Sequence, residues 1–199
     1  MTMQREPLDE HAIAQLFLDA RSYNSWSDQR LDDATVRRLY ELASLGPTTA
    51  NSSPARFVFV RSDAGRERLA VHLSPGNLDK TMSAPCCVII AYDTRFYEFM
   101  PQLFPSRDMS GTFAGKPALI DEVARRSSTL EGAYLIMAAR ALGLDTGPMS
   151  GFNAATLDAD FFPNGRWKAN FLCNIGYGTD GGLFPRNPRL GFEQACIEV

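Results

Sequence analysis

Two groups of polar residues, one near each end of this 199-residue chain, carry side chains suited to binding phosphate. The first is the run Arg21-Ser22-Tyr23-Asn24, which offers a guanidinium, a hydroxyl and an amide within four residues. The second is the pair Arg186 and Arg189. Because the arginine fork matches phosphate oxygens bidentately and a hydroxyl adds a further donor, these residues indicate a site for a phosphate-bearing ligand.

A glycine-rich stretch, Gly143 to Phe152 (GLDTGPMSGF), follows a long apolar helical pattern. Three glycines and a proline in ten residues end a helix and leave N–H groups that can approach a ligand closely. The same composition is typical of a helix C-cap followed by an ordinary helix-to-strand turn. Taken alone, the stretch favours neither interpretation.

A third polar segment, Pro47 to Pro54 (PTTANSSP), joins a predicted helix to a predicted strand. It is either a plain turn or part of a binding site. In the second case Asn51 could pair with the donor–acceptor edge of a heteroaromatic ring, because its amide offers both a donor and an acceptor.

Motifs for catalysis by side chains alone are missing from the sequence. The only histidines, His11 and His72, fall on predicted helices, and Ser150 lacks the first glycine of a nucleophile elbow. The chain also has no glycine-rich dinucleotide fingerprint and no P-loop. An enzyme with so few acid–base candidates usually takes its chemistry from a cofactor.

Composition limits the possible partners. The length favours one domain over residues 1–199, and the net charge of −3 predicts neither nucleic acid nor an anionic membrane as partner. No run reaches the roughly 18 apolar residues of a membrane span, and the polar start around Arg5 to Glu10 lacks the apolar region of a secretory signal. The four cysteines show no metal-site spacing. We therefore expect a reduced, cytoplasmic protein without a metal site.

Hydrophobic periodicity predicts the elements that must position these residues. Helices are expected over 9–20, 34–45, 63–72, near 77–83 and over 120–142, and strands over 56–61, 86–92 and 169–178. The run 86–92 is apolar throughout, which is typical of a central strand covered on both faces. Residues 94–117 are rich in aromatic side chains but broken by proline and glycine, so we expect a lid or a partner-contacting excursion there.

The order of these motifs resembles that of the FMN-dependent nitroreductase family over nearly the whole chain. The matching motifs are Arg21-Ser22, Gly46 to Pro54, Asn77-Leu78-Asp79-Lys80 ahead of Ala84-Pro85, the helix Ala133 to Leu142 with the glycine stretch after it, Asn174 to Gly178, and a late arginine. Within the family, Gly46 to Thr48, Asn51 to Arg56 and Leu142 to Phe152 look most similar to the branch that contains malonic semialdehyde reductases of pyrimidine breakdown.

The resemblance implies an α+β fold, a three-layer α-β-α sandwich around a mixed, largely antiparallel sheet. It also implies a homodimer with FMN at the subunit interface. Arg21, Ser22 and one or both late arginines would hold the phosphate, although Ala20 and Asn24 stand where many relatives carry basic residues. The full cofactor-binding set implied in this way is Arg21, Ser22, Asn24, Thr49, Asn51, Asn77, Lys80, Pro148, Met149, Ser150, Gly151, Arg186 and Arg189.

Within that set, Asn77 and Lys80 would meet the pyrimidine and ribityl side of the flavin, and Asn51 with its neighbours would face it from the partner chain. The backbone from Pro148 to Gly151 would lie along the isoalloxazine and donate an N–H towards N5 and O4. Since FMN N5 would carry the chemistry, the resemblance implies no catalytic side chain.

The implied reaction is a ping-pong hydride transfer from NADH or NADPH through FMN to a small acceptor. In the branch named above the acceptor would be malonic semialdehyde, reduced to 3-hydroxypropanoate, with Arg56, Arg95 or Arg107 holding its carboxylate. Three alternatives stay open: a general nitro- or quinone reductase, a flavin-binding protein without turnover, and an α+β domain whose polar loops are plain turns.

Overall fold

The protein is built on a sheet of four antiparallel strands, in the order β1-β2-β4-β3. The strands are β1 (Ala55–Val60), β2 (Cys86–Asp93), β3 (Asp145–Met149) and β4 (Trp167–Gly176). The structure is a computed structural model that describes residues 6–199, so the first residues of the polar N-terminal segment lie outside the described residues. A parallel bridge joins Ser22 to Thr146 of β3, so the predicted mixed, largely antiparallel sheet is confirmed.

The helices surround this sheet. They are α1 (Glu10–Ile13), α2 (Asp33–Ala43), α3 (Asp63–Ala70), α4 (Pro75–Met82), α5 (Met100–Leu103), α6 (Ser110–Phe113), α7 (Pro117–Ala141), α8 (Ala154–Phe161) and α9 (Phe192–Ala195). A π-helical turn, Ala14–Leu18, extends α1 over the range predicted as one helix. Helix α2 begins after Asp32, whose side chain accepts a hydrogen bond of 2.7 Å from the Thr35 amide. None of the helices within residues 6–199 is long and apolar enough to cross a membrane.

Strand β2 is the centre of the sandwich, and all eight of its residues are buried. Val88 and Ile90 pack on one face of the sheet with side chains of α2 and α7, whereas Ile89 and Ala91 pack on the other with side chains of α3 and α8. Because successive side chains of a strand point to opposite faces, a strand covered on both sides must be apolar throughout. The three-layer prediction and the central position of residues 86–92 are confirmed.

Residues 94–117 form short pieces of structure, as the prolines and glycines predict: a 3₁₀ turn over Phe96–Phe99, then α5 and α6. Phe96 and Phe113 are buried, with ring centroids 5.0 Å apart, in a cluster with Tyr92 of β2 and Val123 of α7. The aromatic side chains of this excursion therefore cover the end of β2 and the first turns of α7.

Sequence reasoning missed two elements, β3 and α8. The glycine stretch was interpreted as a turn or loop, yet its residues 145–149 form the edge strand of the sheet beside β4. An edge strand tolerates Pro148 because one side of its backbone has no strand partner to satisfy. Helix α8 begins after Asn153, whose side chain accepts a hydrogen bond of 3.1 Å from the Thr156 amide.

Candidate functional site

Four arginine side chains line one cavity of about 460 Å³, at the surface where the two ends of the chain meet. They are Arg21, Arg140, Arg186 and Arg189, and Ser22 and Asn24 line the same cavity. No Asp or Glu is among the residues of 6–199 that line it. Four guanidinium groups without a carboxylate make this cavity suited to a phosphate or another compact anion.

Hydrogen bonds between the two ends of the chain hold this cavity together. Arg21 donates to the carbonyl oxygen of Phe184, and Arg186 donates to the carbonyl oxygens of Leu18 and Ala20, the latter at 3.1 Å. Asn24 donates to the Gly182 carbonyl at 3.3 Å. The structure thus brings together all five residues that the sequence suggested for phosphate binding.

Arg189 differs from the other arginines in the direction of its guanidinium. It donates to the carbonyl oxygens of Asn187 and Pro188, at 2.8 and 3.2 Å, and so bonds to its own segment of backbone. Arg186 instead reaches across to the chain near Ala20. Of the two late arginines, Arg186 is therefore the one that bonds to the chain segment next to Arg21.

Strand β3 leads away from this cavity. The Tyr23 amide donates to the Thr146 carbonyl at 3.0 Å, which fixes the segment after Arg21 against the start of the strand. A second cavity, of about 310 Å³, is lined by Arg21, Arg140 and Thr146 among others, so it adjoins the arginine cavity. Extended chain rises by about 3.3 Å per residue, which places Gly151 roughly 16 Å beyond Thr146.

Only glycine fits at position 147, where the Tyr23 segment packs against β3. A β-carbon at this position would lie 2.6 Å from the Tyr23 carbonyl oxygen and 3.3 Å from the Trp26 ring. The first neighbour is backbone and cannot rotate away. Only glycine therefore allows Tyr23 to approach β3 closely enough to make its hydrogen bond.

At the far end of β3, Gly151 meets helix α4. The Gly151 carbonyl accepts hydrogen bonds from the Asn77 side-chain amide at 2.8 Å and from the Ser74 amide at 3.0 Å. A β-carbon on Gly151 would lie 2.5 Å from that Asn77 nitrogen. The Gly151 amide, in contrast, donates to no other residue within 6–199, so it is available to a ligand.

The remaining residues of this end alternate in exposure as a strand should. Met149 is buried and packs in the core, whereas Pro148 and Ser150 face outwards. Lys80 lies three residues after Asn77 on α4, which places both side chains on the same face of the helix. The structure thus brings together the six residues from Asn77 and Lys80 to Pro148–Gly151 that were suggested for the flavin ring.

Thr49 and Asn51 lie elsewhere. They precede β1, which is the opposite edge of the sheet from β3. Three strand spacings of about 4.8 Å separate the two edges by roughly 14 Å. The Asn51 side-chain amide donates to the Leu103 carbonyl at 2.7 Å, and the Thr49 amide donates to Ser127 at 3.3 Å. Within one chain, strands β2 and β4 therefore lie between these two residues and β3.

The loop that carries Thr49 and Asn51 has an unusual backbone. Ala50, Asn51 and Ser53 have φ angles of 50°, 53° and 36°, a left-handed conformation that non-glycine residues rarely adopt. Such conformations persist only where the surrounding structure holds them, and they cluster at functional sites. Glu131 of α7 holds the end of this loop, because its buried carboxylate accepts a hydrogen bond of 2.9 Å from the Ala55 amide.

Two ionisable groups near these sites were missed by sequence reasoning. Burial raises the pKa of Glu131 to about 7, although the Ala55 hydrogen bond and Arg56 act in the other direction. Burial also lowers the pKa of Arg140, which lies in the last turn of α7. Neither belongs to a local motif, so no signal in the sequence pointed to them.

Comparison with known proteins agrees with this fold. The nitroreductase family profile matches residues 18–177, and the chain belongs to this family. A protein of Rhodopseudomonas palustris (strain TIE-1) is 61% identical over 188 residues, 94% of this chain and 95% of the relative. A protein of Stutzerimonas stutzeri (strain A1501) is 54% identical over 191 residues, 96% and 97% of the two chains. Both carry the name "Putative NADH dehydrogenase/NAD(P)H nitroreductase", which mentions no malonic semialdehyde.

Solved structures share the fold at low sequence identity. A nitroreductase family protein of Streptococcus pneumoniae TIGR4 has a TM-score of 0.83 at 19% identity, covering 94% of this chain and all of that one. A protein of Exiguobacterium sibiricum 255-15, described as a "putative nitroreductase in complex with FMN", has a TM-score of 0.82 at 20% identity and covers both chains completely. These likenesses establish the nitroreductase-like α+β fold.

Proposed function

We propose that this protein is an FMN-dependent oxidoreductase that uses NADH or NADPH to reduce a small acceptor. The observation that carries the proposal is the four-arginine cavity, from which β3 leads to Gly151, whose amide donates to no other residue within 6–199. Bound FMN would supply the redox chemistry by accepting a hydride from the nicotinamide and passing it to the acceptor. The two relatives described above, both named "Putative NADH dehydrogenase/NAD(P)H nitroreductase", support the choice of hydride donor.

The residues fit a flavin phosphate. Arg21 and Arg186 now donate to neutral backbone carbonyls, and a phosphate dianion is a stronger acceptor for the same guanidinium groups. Ser22 and Asn24 add uncharged donors in the same cavity. Arg189 adds positive charge without a direct bond across the cavity, because its own backbone engages its guanidinium.

The far end of β3 fits a planar ring. Gly151 has no side chain, and Pro148 and Ser150 lie on the exposed outer side of the chain, where a ring could lie against the backbone. The free Gly151 amide is a fixed donor that could act on N5 or O4. Asn77, held against Gly151, and Lys80 on the same helix face would meet the pyrimidine and ribityl side.

A second copy of the chain would complete the site. Thr49 and Asn51 lie beside the edge strand β1, with β2 and β4 between them and β3, so we propose that they face the flavin bound mainly by the other subunit. The apolar side chains of Tyr40 and Leu45 near α2 and of Leu130 and Tyr134 on α7 are exposed on the side of the fold formed by these two helices. Exposed large hydrophobic side chains on these two neighbouring helices favour a homodimer.

Residues 94–117 would shape or cover the acceptor pocket. The hydrogen bond from Asn51 to the Leu103 carbonyl joins this excursion to the loop proposed to face the flavin. A movement of residues 94–117 would therefore shift Asn51 or break this hydrogen bond. We propose one functional domain over residues 1–199 that includes this excursion.

The acceptor we propose is malonic semialdehyde, reduced to 3-hydroxypropanoate. Of the three arginines suggested for its carboxylate, Arg56 is already bound to buried Asp93 at 2.8 Å. Arg95 and Arg107 are exposed and form no ion pair within residues 6–199, which favours these two. A general nitro- or quinone reductase is the second candidate, and the names of the relatives favour it.

One spectrum of the purified protein tests the flavin enzyme. We expect visible flavin absorbance that bleaches when NADH or NADPH is added without oxygen. Bound flavin that nicotinamide fails to bleach would indicate a carrier or sensor. A colourless protein that takes up no added FMN would refute the proposal.

Steady-state rates test the acceptor. We expect kcat/KM for malonic semialdehyde to exceed the values for a nitroaromatic and a quinone. The reverse order, with the same flavin reduction by nicotinamide, would leave the flavin enzyme intact and refute only the proposed acceptor.

A further inference from the structure

Arg140 lies in the last turn of α7 and lines both the arginine cavity and the cavity beside it. Its Nη1 donates to the Leu16 carbonyl at 3.0 Å, but its Nε is buried and has no partner within residues 6–199. A buried donor without an acceptor costs free energy, because it has lost its hydrogen bonds to water. An anionic ligand in the adjoining space would supply the missing acceptor.

The electrostatic surroundings of Arg140 agree with such a ligand. Burial lowers the pKa of Arg140, and the nearby positive charge of Arg186 acts in the same direction, while Cys173 and Asp145 oppose it. Asp145 and Asp19 line the second cavity and no carboxylate within residues 6–199 lines the first. A phosphate in the first cavity would therefore face Arg140, Arg21 and Arg186 together and would relieve the repulsion among them.

The position of Arg140 also suits this role. The N-terminal segment that pairs with β3 contributes Ala20 and Asn24 to the cavity, and both residues are uncharged. On this side of the cavity, positive charge therefore comes from Arg21 and from Arg140, which a different element holds in place. The helix fixes the Arg140 backbone, so its guanidinium can be ordered before the ligand arrives.

We infer that Arg140 is a phosphate-recognition residue for the flavin cofactor, the fourth guanidinium of the cavity. This inference rests on the proposed function, since it takes the phosphate of FMN as the ligand. The rival role is structural, because Arg140 also bonds to the Leu16 carbonyl and its own carbonyl accepts a hydrogen bond from Gln15 at 2.6 Å.

Comparing FMN with riboflavin separates the two roles, since these ligands differ only in the phosphate. Each would be titrated into the full-length chain, and binding followed by quenching of flavin fluorescence. For Arg140→Met we expect FMN affinity to fall by roughly 10- to 100-fold, the size of a lost charge-assisted hydrogen bond. Riboflavin affinity should change by less than about twofold, which is far below one such hydrogen bond.

Two further variants keep the test decisive. Arg140→Lys retains the charge without the planar fork, so we expect a smaller loss of FMN affinity and folding like that of the wild type. Gln15→Ala removes the hydrogen bond from the Gln15 side chain to the Arg140 carbonyl, but it leaves all four guanidinium groups in place. Its ratio of FMN to riboflavin affinity should match the wild type.

Equal losses of FMN and riboflavin affinity in Arg140→Met, or no loss of either, would overturn the inference while leaving the flavin enzyme standing. A wild-type chain that binds FMN no better than riboflavin would overturn phosphate recognition by the whole cavity. A wild-type chain that binds neither ligand would refute the proposed function and this inference together.

Discussion

The side-chain amide of Asn77 donates a 2.8 Å hydrogen bond to the carbonyl oxygen of Gly151, joining helix α4 to the end of edge strand β3. The two residues are 74 positions apart in the chain. The bond depends on the absence of a side chain at Gly151, because a β-carbon there would lie 2.5 Å from the donating nitrogen. This contact holds the Gly151 amide at the place where the proposed flavin ring would lie.

Gly151→Val should weaken FMN binding by at least about tenfold, because the new side chain displaces Asn77 and occupies the space for the ring; tenfold corresponds to about 1.4 kcal/mol. Ser150→Ala is the matched control, since Ser150 is exposed and the substitution leaves Gly151 as it is. Its affinity should stay within about twofold of the wild type. Fluorescence titration with FMN measures both, and equal effects would contradict the proposed role of the backbone.

Gly147→Ala should destabilise the protein by about 1–3 kcal/mol, the usual cost of forcing atoms into a packed region. The added carbon would lie 2.6 Å from the Tyr23 carbonyl oxygen and would push the Arg21 segment away from β3. We therefore also expect weaker FMN binding. Urea unfolding at fixed flavin concentration measures the free energy of unfolding.

Gly76→Ala is the control for that substitution. Gly76 lies in α4, and an added β-carbon there meets nothing within 4 Å. Alanine is also favoured over glycine inside a helix by up to about 1 kcal/mol. This variant should be as stable as the wild type or slightly more stable. A loss equal to that of Gly147→Ala would show that the close approach of Tyr23 is unimportant.

Arg56→Met should lower the free energy of unfolding by about 1–3 kcal/mol, because it removes one of the two arginines that donate to the buried carboxylate of Asp93. Arg166 still donates to Asp93 at 2.9 Å, so the carboxylate keeps a partner. The KM for an acidic acceptor should change little. Thermal unfolding and steady-state kinetics on the same preparation separate the two effects.

Arg95→Met and Arg107→Met should show the opposite behaviour if either residue holds the acceptor carboxylate. Both side chains are exposed, so stability should stay within about 0.5 kcal/mol of the wild type. The KM for malonic semialdehyde should rise in one of them, while the rate with a neutral quinone is unchanged. A raised KM in Arg56→Met alone would reverse this assignment.

Glu131→Gln should gain stability relative to the wild type as the pH rises. The pKa of Glu131 is about 7 in the folded chain against an ordinary value of 4.5. Between these values the folded chain binds more protons than the unfolded chain, so the free energy of unfolding of the wild type falls as pH increases. A pKa difference of about 2.5 corresponds to roughly 3 kcal/mol at most.

Unfolding curves at pH 5 and pH 8 measure this difference. Glutamine keeps an oxygen that can accept from the Ala55 amide but does not titrate, so the gain should be small at pH 5 and largest at pH 8. Glu122→Gln, on an exposed face of the same helix, is the control and should follow the wild type at both values. If the difference in free energy of unfolding between the Glu131 variant and the wild type were the same at pH 5 and pH 8, the Glu131 carboxyl would not titrate in that range.

Periodic elements of the fold could be predicted from the sequence because their signals are local. The apolar run at 86–92 indicated a central strand, and β2 is buried along its whole length. The helical periodicity over 34–45 indicated a helix, and α2 spans Asp33–Ala43. The order of motifs along the chain likewise indicated the nitroreductase family, to which the chain belongs.

Some relationships could not be predicted from local patterns. The stretch at 143–152 has the composition of a turn, and it becomes a strand only because β4, which begins at Trp167, supplies the hydrogen-bonding partners. Arg140 belongs to no motif in the sequence, and only the fold places it in one cavity with Arg21 and Arg186. Glu131 likewise gained its raised pKa from burial against the start of β1.

The sequence by itself determined which residues could bind a phosphate and a ring, because those properties belong to the side chains and to glycine. Only the tertiary structure decided which of them meet. It places Arg21 and Arg186 in one cavity and brings Asn77 within hydrogen-bonding distance of Gly151. It also sets Asn51 at the opposite edge of the sheet. The reason is that such distances depend on strand order and on contacts between residues far apart in the chain, and these have no local signature.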